Sequence, residues 1–232
     1  MRDMMFEPCL GKPQIHVLNL TIARNGRVLL QVPDLSLNGP GPTLIIGPNG
    51  AGKSLLLRCL HGLIVPDSGE ILQDGQPLDA AQRLNQAMVF QSPVLLRRSV
   101  AANLEYVLRH RRMPRNLRKA RIRELLAEGG LGDRGSQPAR SLSGGEAQRL
   151  AILRALACDP DILFLDEPTS ALDPAATQAI EGIIMGAAAR GTRIVMVTHD
   201  IGQARRLGHD IVLMQGGQIV EHTAASRFFD RP

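Results

Sequence analysis

The sequence predicts an α/β fold with a mainly parallel sheet, a flanking antiparallel β subdomain and an inserted helical subdomain. Three observations point there. Short apolar runs at residues 43–46, 162–165 and 194–198 have the composition of fully buried parallel strands, and each is followed by a polar or glycine-bearing segment and then a helical pattern. Strand-like stretches at 15–23, 27–32 and 70–72 come with the turn signals Asn25-Gly26, Asp74-Gly75 and Gly216-Gly217, which predict the antiparallel flank. From Ser99 onward, Val100, Leu104, Val107 and Leu108 recur at helical spacing; a second helical stretch covers 117–126, and Pro114 separates the two.

A chain of 232 residues can bury a sizeable core, and it most naturally makes one domain, 1–232, with the helical subdomain at roughly 92–145. Hydrophobic residues at 44% and charged residues at 21% exclude a largely disordered chain. No uncharged apolar run approaches the roughly 20 residues of a membrane helix, and the start MRDMMFEPCLGK lacks the apolar middle of a signal peptide. A cytoplasmic location is expected. Cys9, Cys59 and Cys158 are odd in number and widely spaced, so they encode neither a disulfide framework nor a metal knuckle. The net charge of +5 is concentrated: between Arg97 and Arg123 ten Arg and Lys residues face one acid, Glu105, which leaves the rest of the chain at −4. That cluster fits the solvated face of two helices, and it equally fits a surface for anionic partners or lipid headgroups.

The stretch GPNGAGKS, residues 47–54, satisfies G-x-x-x-x-G-K-[ST] at every fixed position and follows the strand TLII. Gly47, Gly50 and Gly52, with Pro48, Asn49 and Ala51 between them, let the backbone curl so that its N–H groups face phosphate oxygens. Lys53 then meets the β and γ phosphates and Ser54 a Mg²⁺ ion. ILFLDEP, residues 162–168, ends a buried strand with adjacent carboxylates, a costly arrangement unless a cation or proton traffic uses it. Asp166 suits the metal, and Glu167 can polarise a water; taken alone, the pair also fits a helix cap. His199 ends the third apolar run and can donate to an anion, although a lone histidine there also fits a structural role. Gln91 offers an amide oxygen for a metal and an NH₂ for water. Finally, Ser143, Gly144 and Gly145 open a helix anchored by Leu150, Ile152, Leu153 and Leu156, which leaves its N-terminus facing an anion or simply capped by serine.

In this order, the motifs resemble those of the nucleotide-binding subunit of an ABC transporter, over nearly the whole chain. GPNGAGKS is similar to the Walker A loop, Gln91 to the Q-loop, LSGGE to the signature, ILFLDEP to the Walker B strand, Ser170-Ala171-Leu172-Asp173 to the D-loop and His199 to the switch histidine. The resemblance implies a P-loop NTPase core with ATP and Mg²⁺, the metal held by Ser54, Gln91 and Asp166, and catalysis by Glu167, His199 and Gln91. It also implies a homodimer in which Ser143, Gly144, Gly145 and Asp173 of one copy cover the ATP on the Walker A loop of the other. Further partners implied are integral membrane permease subunits and, through the complex, a substrate-binding protein, which would place the chain peripherally on the inner face of the membrane. On the same analogy the segment after Gln91 receives the permease, so the apolar patch 93–96 should be exposed. One departure stands out. Where the family usually stacks adenine on an aromatic, this chain has IARNGRV, which leaves Arg24 as a substitute stacker or the base loosely read, and predicts weak ATP/GTP discrimination.

The chain ends soon after GGQIVEHTAASRFFDRP without an extra C-terminal regulatory domain, and a short importer subunit fits best. The run MVFQSPVLLRRSVAANLEYVLRHR is similar to ATPases of tungstate and other oxyanion importers, with phosphate, molybdate or polar amino acids as alternative cargoes. A soluble ABC ATPase acting on nucleic acid or ribosomes is the rival that the basic cluster suggests. Because the span from Lys53 to Ser143 has no room for a long coiled-coil insertion, no nucleic-acid partner is expected. The presence of Glu167 and His199 argues against a non-hydrolysing scaffold.

Overall fold

The structure, a computed structural model, describes residues 11–230, so Cys9 lies outside the described residues. Its strands are β1 (Ile15–Arg24), β2 (Arg27–Leu37), β3 (Thr43–Ile46), β4 (Ser68–Gln73), β5 (Gln76–Pro77), β6 (Gln86–Val89), β7 (Ile162–Asp166), β8 (Arg193–Val197), β9 (Asp210–Gln215) and β10 (Gln218–Ala224). The helices are α1 (Lys53–Leu60), α2 (Ala80–Leu84), α3 (Val100–His110), α4 (Arg115–Glu128), α5 (Gly144–Leu156), α6 (Pro174–Ala189), α7 (Ile201–Leu207) and α8 (Ala225–Phe229).

A six-stranded sheet, ordered β10-β9-β3-β8-β7-β6, is parallel from β9 to β6, and a four-stranded antiparallel sheet, ordered β2-β1-β4-β5, flanks it. The turns Asn25-Gly26 and Asp74-Gly75 have positive φ at both positions, as a two-residue hairpin loop requires. Gly216 and Gly217 do the same, but their hairpin joins β9 to β10 and extends the main sheet instead of the flank. β2 continues to Leu37 past Pro33, beyond the stretch read from the sequence. It is an edge strand, where a missing N–H is tolerated.

The central strands β3, β7 and β8 are buried at every position, and their side chains alternate between two cores. Leu44, Ile46, Leu163, Leu165, Ile194 and Met196 share one with apolar residues of α3 to α7. Ile45, Ile162, Phe164, Val195 and Val197 share the other with α1 and with Val17, Leu20, Leu35 and Leu37 of the antiparallel sheet. Each such side chain contributes about 1.5–3 kcal/mol on burial. Sandwiched this way, the three strands end together, at Ile46, Asp166 and Val197, and the loops leaving them are placed side by side.

Between β6 and α5 the chain forms α3 and α4, which pack through Val100, Leu104, Leu108, Leu125 and Leu126. Ser99 caps α3, its Oγ accepting from Ala102 N at 3.2 Å. In the basic cluster Arg109, Arg111, Arg112, Arg115, Lys119 and Arg123 are exposed, with Arg111 donating to the Leu84 carbonyl, and the less exposed Arg121 bridges Glu124 and Asp159. Cys59 is buried, which pushes its thiol up to about 12, and Cys158 is half-buried and also raised by desolvation. Among the described residues no helix is long and apolar enough to cross a membrane.

Candidate active site

The first helix entrance begins where β3 stops. Gly47 has φ +148°, and a Cβ there would lie 2.1 Å from the Met214 carbonyl oxygen, so only glycine fits. Gly52 caps α1 from the left-handed region and brings no side chain to the helix N-terminus, whose N–H groups are left for an anion. Lys53 is buried and donates from Nζ to the carbonyls of Gly47 (2.8 Å) and Pro48 (3.1 Å), which aims its charge across the loop. Asn49 and Gly50 are exposed at its tip, and Ala51 packs beneath.

At the end of β7, Asp166 is buried, and its Oδ1 accepts from Ser54 Oγ at 2.7 Å. Its Oδ2 faces Arg58 at 3.9 Å. Two adjacent hard oxygens beside a phosphate loop are the donor type Mg²⁺ takes, so the residues present fit that ion. Glu167 adopts φ +47°, a conformation that costs a non-glycine residue roughly 1–3 kcal/mol, and its N–H donating to Val197 O at 3.0 Å holds it there. Its Oε2 accepts from Gln91 Nε2 at 3.3 Å and meets His199 Nδ1 at 3.2 Å. The amide of Gln91 also donates to Ser170 Oγ at 3.2 Å. Gln91, Glu167 and His199 therefore converge from three strand ends, and with residues 46–49, Ile201, Leu213 and Phe228 they line a cavity of about 660 Å³. Gln91 sits on Glu167 in this arrangement, and the oxygens of Ser54 and Asp166 form the compact pair.

The second entrance faces another cavity of about 560 Å³, lined by Ser143, Gly144, Gly145, Leu172, Asp173 and neighbours on α6. No residue lines both cavities. Ser143 Oγ accepts from Glu146 N at 3.3 Å while Glu146 Oε2 accepts from Ser143 N at 2.8 Å, a capping box that leaves Gly144 and Gly145 at the rim. The Ser143 N–H, together with the nearby Arg134 and Arg149, holds the Glu146 carboxyl below its ordinary range. Gly145 packs so closely that a Cβ would come within 2.8 Å of Ala176 Cβ. Asp173 caps α6, its Oδ1 accepting from Ala176 N at 2.8 Å.

Two expectations concern the edges of the site. Arg24 donates from Nη1 to the Asp67 carboxylate at 3.1 Å and to the Ala23 carbonyl at 2.7 Å, and its side chain is exposed. In the stretch 93–96, Val94 is 73% exposed while Pro93, Leu95 and Leu96 are half-buried, and none is buried. Sequence reasoning missed Gln148, Asn103 and Gln203, buried polar residues behind the site. Nothing but their place on an apolar helix face could have marked them.

The matching family model, ABC transporter, covers residues 30–170. The chain is 41% identical to the phosphate import ATP-binding protein PstB 2 of Natronomonas pharaonis, over 96% of this chain and 84% of that one. It is 38% identical to the tungstate uptake system ATP-binding protein TupC of Peptoclostridium acidaminophilum, covering 90% of this chain and 97% of that one. Against the methionine import ATP-binding protein MetN of Corynebacterium jeikeium it is 39% identical over 96% of its own length but spans only 60% of that protein. Among solved structures it superposes on cbiO1 of Clostridium perfringens, part of the ABC transporter complex cbiONQ, with a TM-score of 0.85 at 27% identity, covering 93% and 90% of the two chains. The chain belongs to the ABC transporter family. Within it, this is an importer-type ATP-binding subunit and an ATPase.

Proposed function

We propose that this subunit hydrolyses ATP as a homodimer to power import of an oxyanion such as tungstate, and that the whole chain is one nucleotide-binding domain with its helical subdomain at roughly 92–145. The observation that carries the enzymatic part is the placement of Glu167 between Gln91 and His199, one residue from the Ser54–Asp166 oxygen pair. Residues 47–54 cradle the phosphates through backbone N–H groups and Lys53. Ser54 and Asp166, with Gln91, would hold Mg²⁺, which when bound would neutralise phosphate charge. Glu167 takes the proton of the attacking water, and His199 and Gln91 fix its carboxylate and border the γ phosphate. Ser143, with its hydroxyl, and Gly144 and Gly145, with their backbone N–H groups, add donors to the triphosphate held by the other copy, beside Asp173 at the N-terminus of α6, and closure is favoured for as long as the γ phosphate spans both.

Membrane permease subunits are the implied partners, with a substrate-binding protein beyond them and this chain on the cytoplasmic face. The exposed Val94 beside the basic helices supports the docking. An oxyanion cargo is supported by the tungstate relative, which the chain covers almost entirely, and by the phosphate relative. Methionine is the second reading, from relatives of which the chain spans a smaller share.

The direct test is Glu167→Gln. Phosphate release should cease while ATP induces a stable dimer, detected by light scattering; a variant that turns over normally as a monomer overturns the reading. Cargo is read from transport of tungstate, phosphate and methionine by the assembled complex.

A further inference from the structure

Gln203 is wholly buried on the first turn of α7, four residues after His199. Both protons of its amide are used: Nε2 donates to Thr169 Oγ1 at 2.9 Å and to Glu181 Oε1 at 3.0 Å. Thr169 Oγ1 also lies 3.3 Å from Gln203 Oε1. Glu181 accepts in turn from Arg206 Nη2 at 2.7 Å, and the Gln203 N–H donates to Asp200 Oδ1 at 3.0 Å. A buried amide is costly when unpartnered, and this one is satisfied by groups from two other segments.

Those segments are the ones the site depends on. Thr169 stands two residues beyond Glu167, in the loop where Glu167 and Ala171 both have positive φ. Glu181 belongs to α6, whose first residues, together with its cap Asp173, wall the signature cavity through Ala175 and Ala176. Gln203 itself is carried by the helix that His199 introduces. One side chain thus joins the loop bearing Glu167, the helix after His199 and the helix behind the signature cavity.

We propose that Gln203 is a positioning residue for ATP hydrolysis: it fixes the His199 segment against the Glu167 loop, so that the two side chains keep their 3.2 Å contact when the cavities close. It touches neither water nor phosphate. Its removal therefore lowers turnover and leaves nucleotide binding alone, a split that general destabilisation does not produce. The proposal rests on Glu167 acting as the base.

The test compares full-length wild type with Gln203→Leu, Thr169→Val, the double variant and Glu167→Gln, reading kcat, the Kd for ATP without Mg²⁺, and the melting midpoint. Gln203→Leu should lower kcat about tenfold with Kd within about twofold, the scale of one positional hydrogen bond. Thr169→Val should lower it several-fold, and the double variant should be no slower than Gln203→Leu, because both remove one link. Unchanged kcat in Gln203→Leu, additive losses in the double variant, or a Kd that worsens in step with kcat each overturn the proposal. If Gln203→Leu does not fold, Thr169→Val decides alone: reduced kcat at unchanged Kd supports the link and normal kcat overturns it. Glu167→Gln separates the two failures. Normal turnover there removes the active-site reading itself, whereas an inactive Glu167→Gln beside a normal Gln203→Leu removes only the role of Gln203.

Discussion

The entrances of α1 and α5 are both glycine-rich and both face a cavity, yet they leave different groups free. At α1 the cap is a bare left-handed glycine, and a buried lysine and the Ser54–Asp166 oxygens stand beside it. At α5, Ser143 and Glu146 satisfy each other, and the nearby cations are spoken for: Arg134 faces Glu146 at 3.6 Å and Arg149 donates to the Gly129 carbonyl at 2.9 Å. The first offers free helix N–H groups and a cation to an anion. The second, with an ionised glutamate at its mouth, suits adding donors to an anion already held elsewhere. On the proposed reading, two similar sequences of small residues divide founding a site from completing one, and charge placement makes the division.

Substitutions can break or sharpen that contrast. The largest effect is expected from Lys53→Ala, which should lower phosphate release by about a hundredfold or more, since it removes the cation at the founding entrance. Release at the wild-type rate would erase the distinction. Next comes Gly145→Ala, whose added methyl meets Ala176 and pushes α5 away from α6. Turnover should fall about tenfold while ATP binding, followed by nucleotide fluorescence, stays within about twofold. If binding fell equally, the second entrance would share in founding the site. The smallest effect concerns Glu146, whose folded-state pKa is depressed chiefly by the Ser143 backbone N–H. Its stabilisation is present above the ordinary glutamate value of 4.5 and is lost as pH falls through the depressed folded value. Glu146→Gln should therefore melt about 1–2 °C below wild type at neutral pH, with the gap closing below pH 4.5. A gap independent of pH would show that the charge does nothing there.

Much of this was legible because it is local. The phosphate loop is fixed by the spacing of Gly47, Gly52, Lys53 and Ser54, and the buried strands by unbroken apolar runs that only a sheet covered on both faces requires. Hairpin turns at Asn25-Gly26 and Asp74-Gly75 arise from the left-handed backbone those residues tolerate. The hidden features depend on partners far away in sequence. The Gly216-Gly217 turn is as plain as the others, but which sheet β9 joins is decided by β3, which contacts it through Leu44 and Ile45. Gln91 and His199 carry little meaning until Glu167 lies between them, and Gln203 reads as one more polar helix residue until Thr169 and Glu181 surround it. Within 93–96 only Val94 is exposed, while Leu95 packs partly against the core shared with α3.

The stretch leading to Val94 is tethered at both ends. Gln148 on α5 donates to the Phe90 carbonyl at 3.4 Å, and the buried Asn103 on α3 clasps Leu96 through its N–H at 2.8 Å and its carbonyl at 3.3 Å. The strip is thus joined to α3 of the helical insert and to α5 at points on either side of Val94. Gln91 rides on the strip beside one of the tethers, so on the proposed reading a tilt of the insert would draw its amide away from Glu167 while residues 47–54 keep their place.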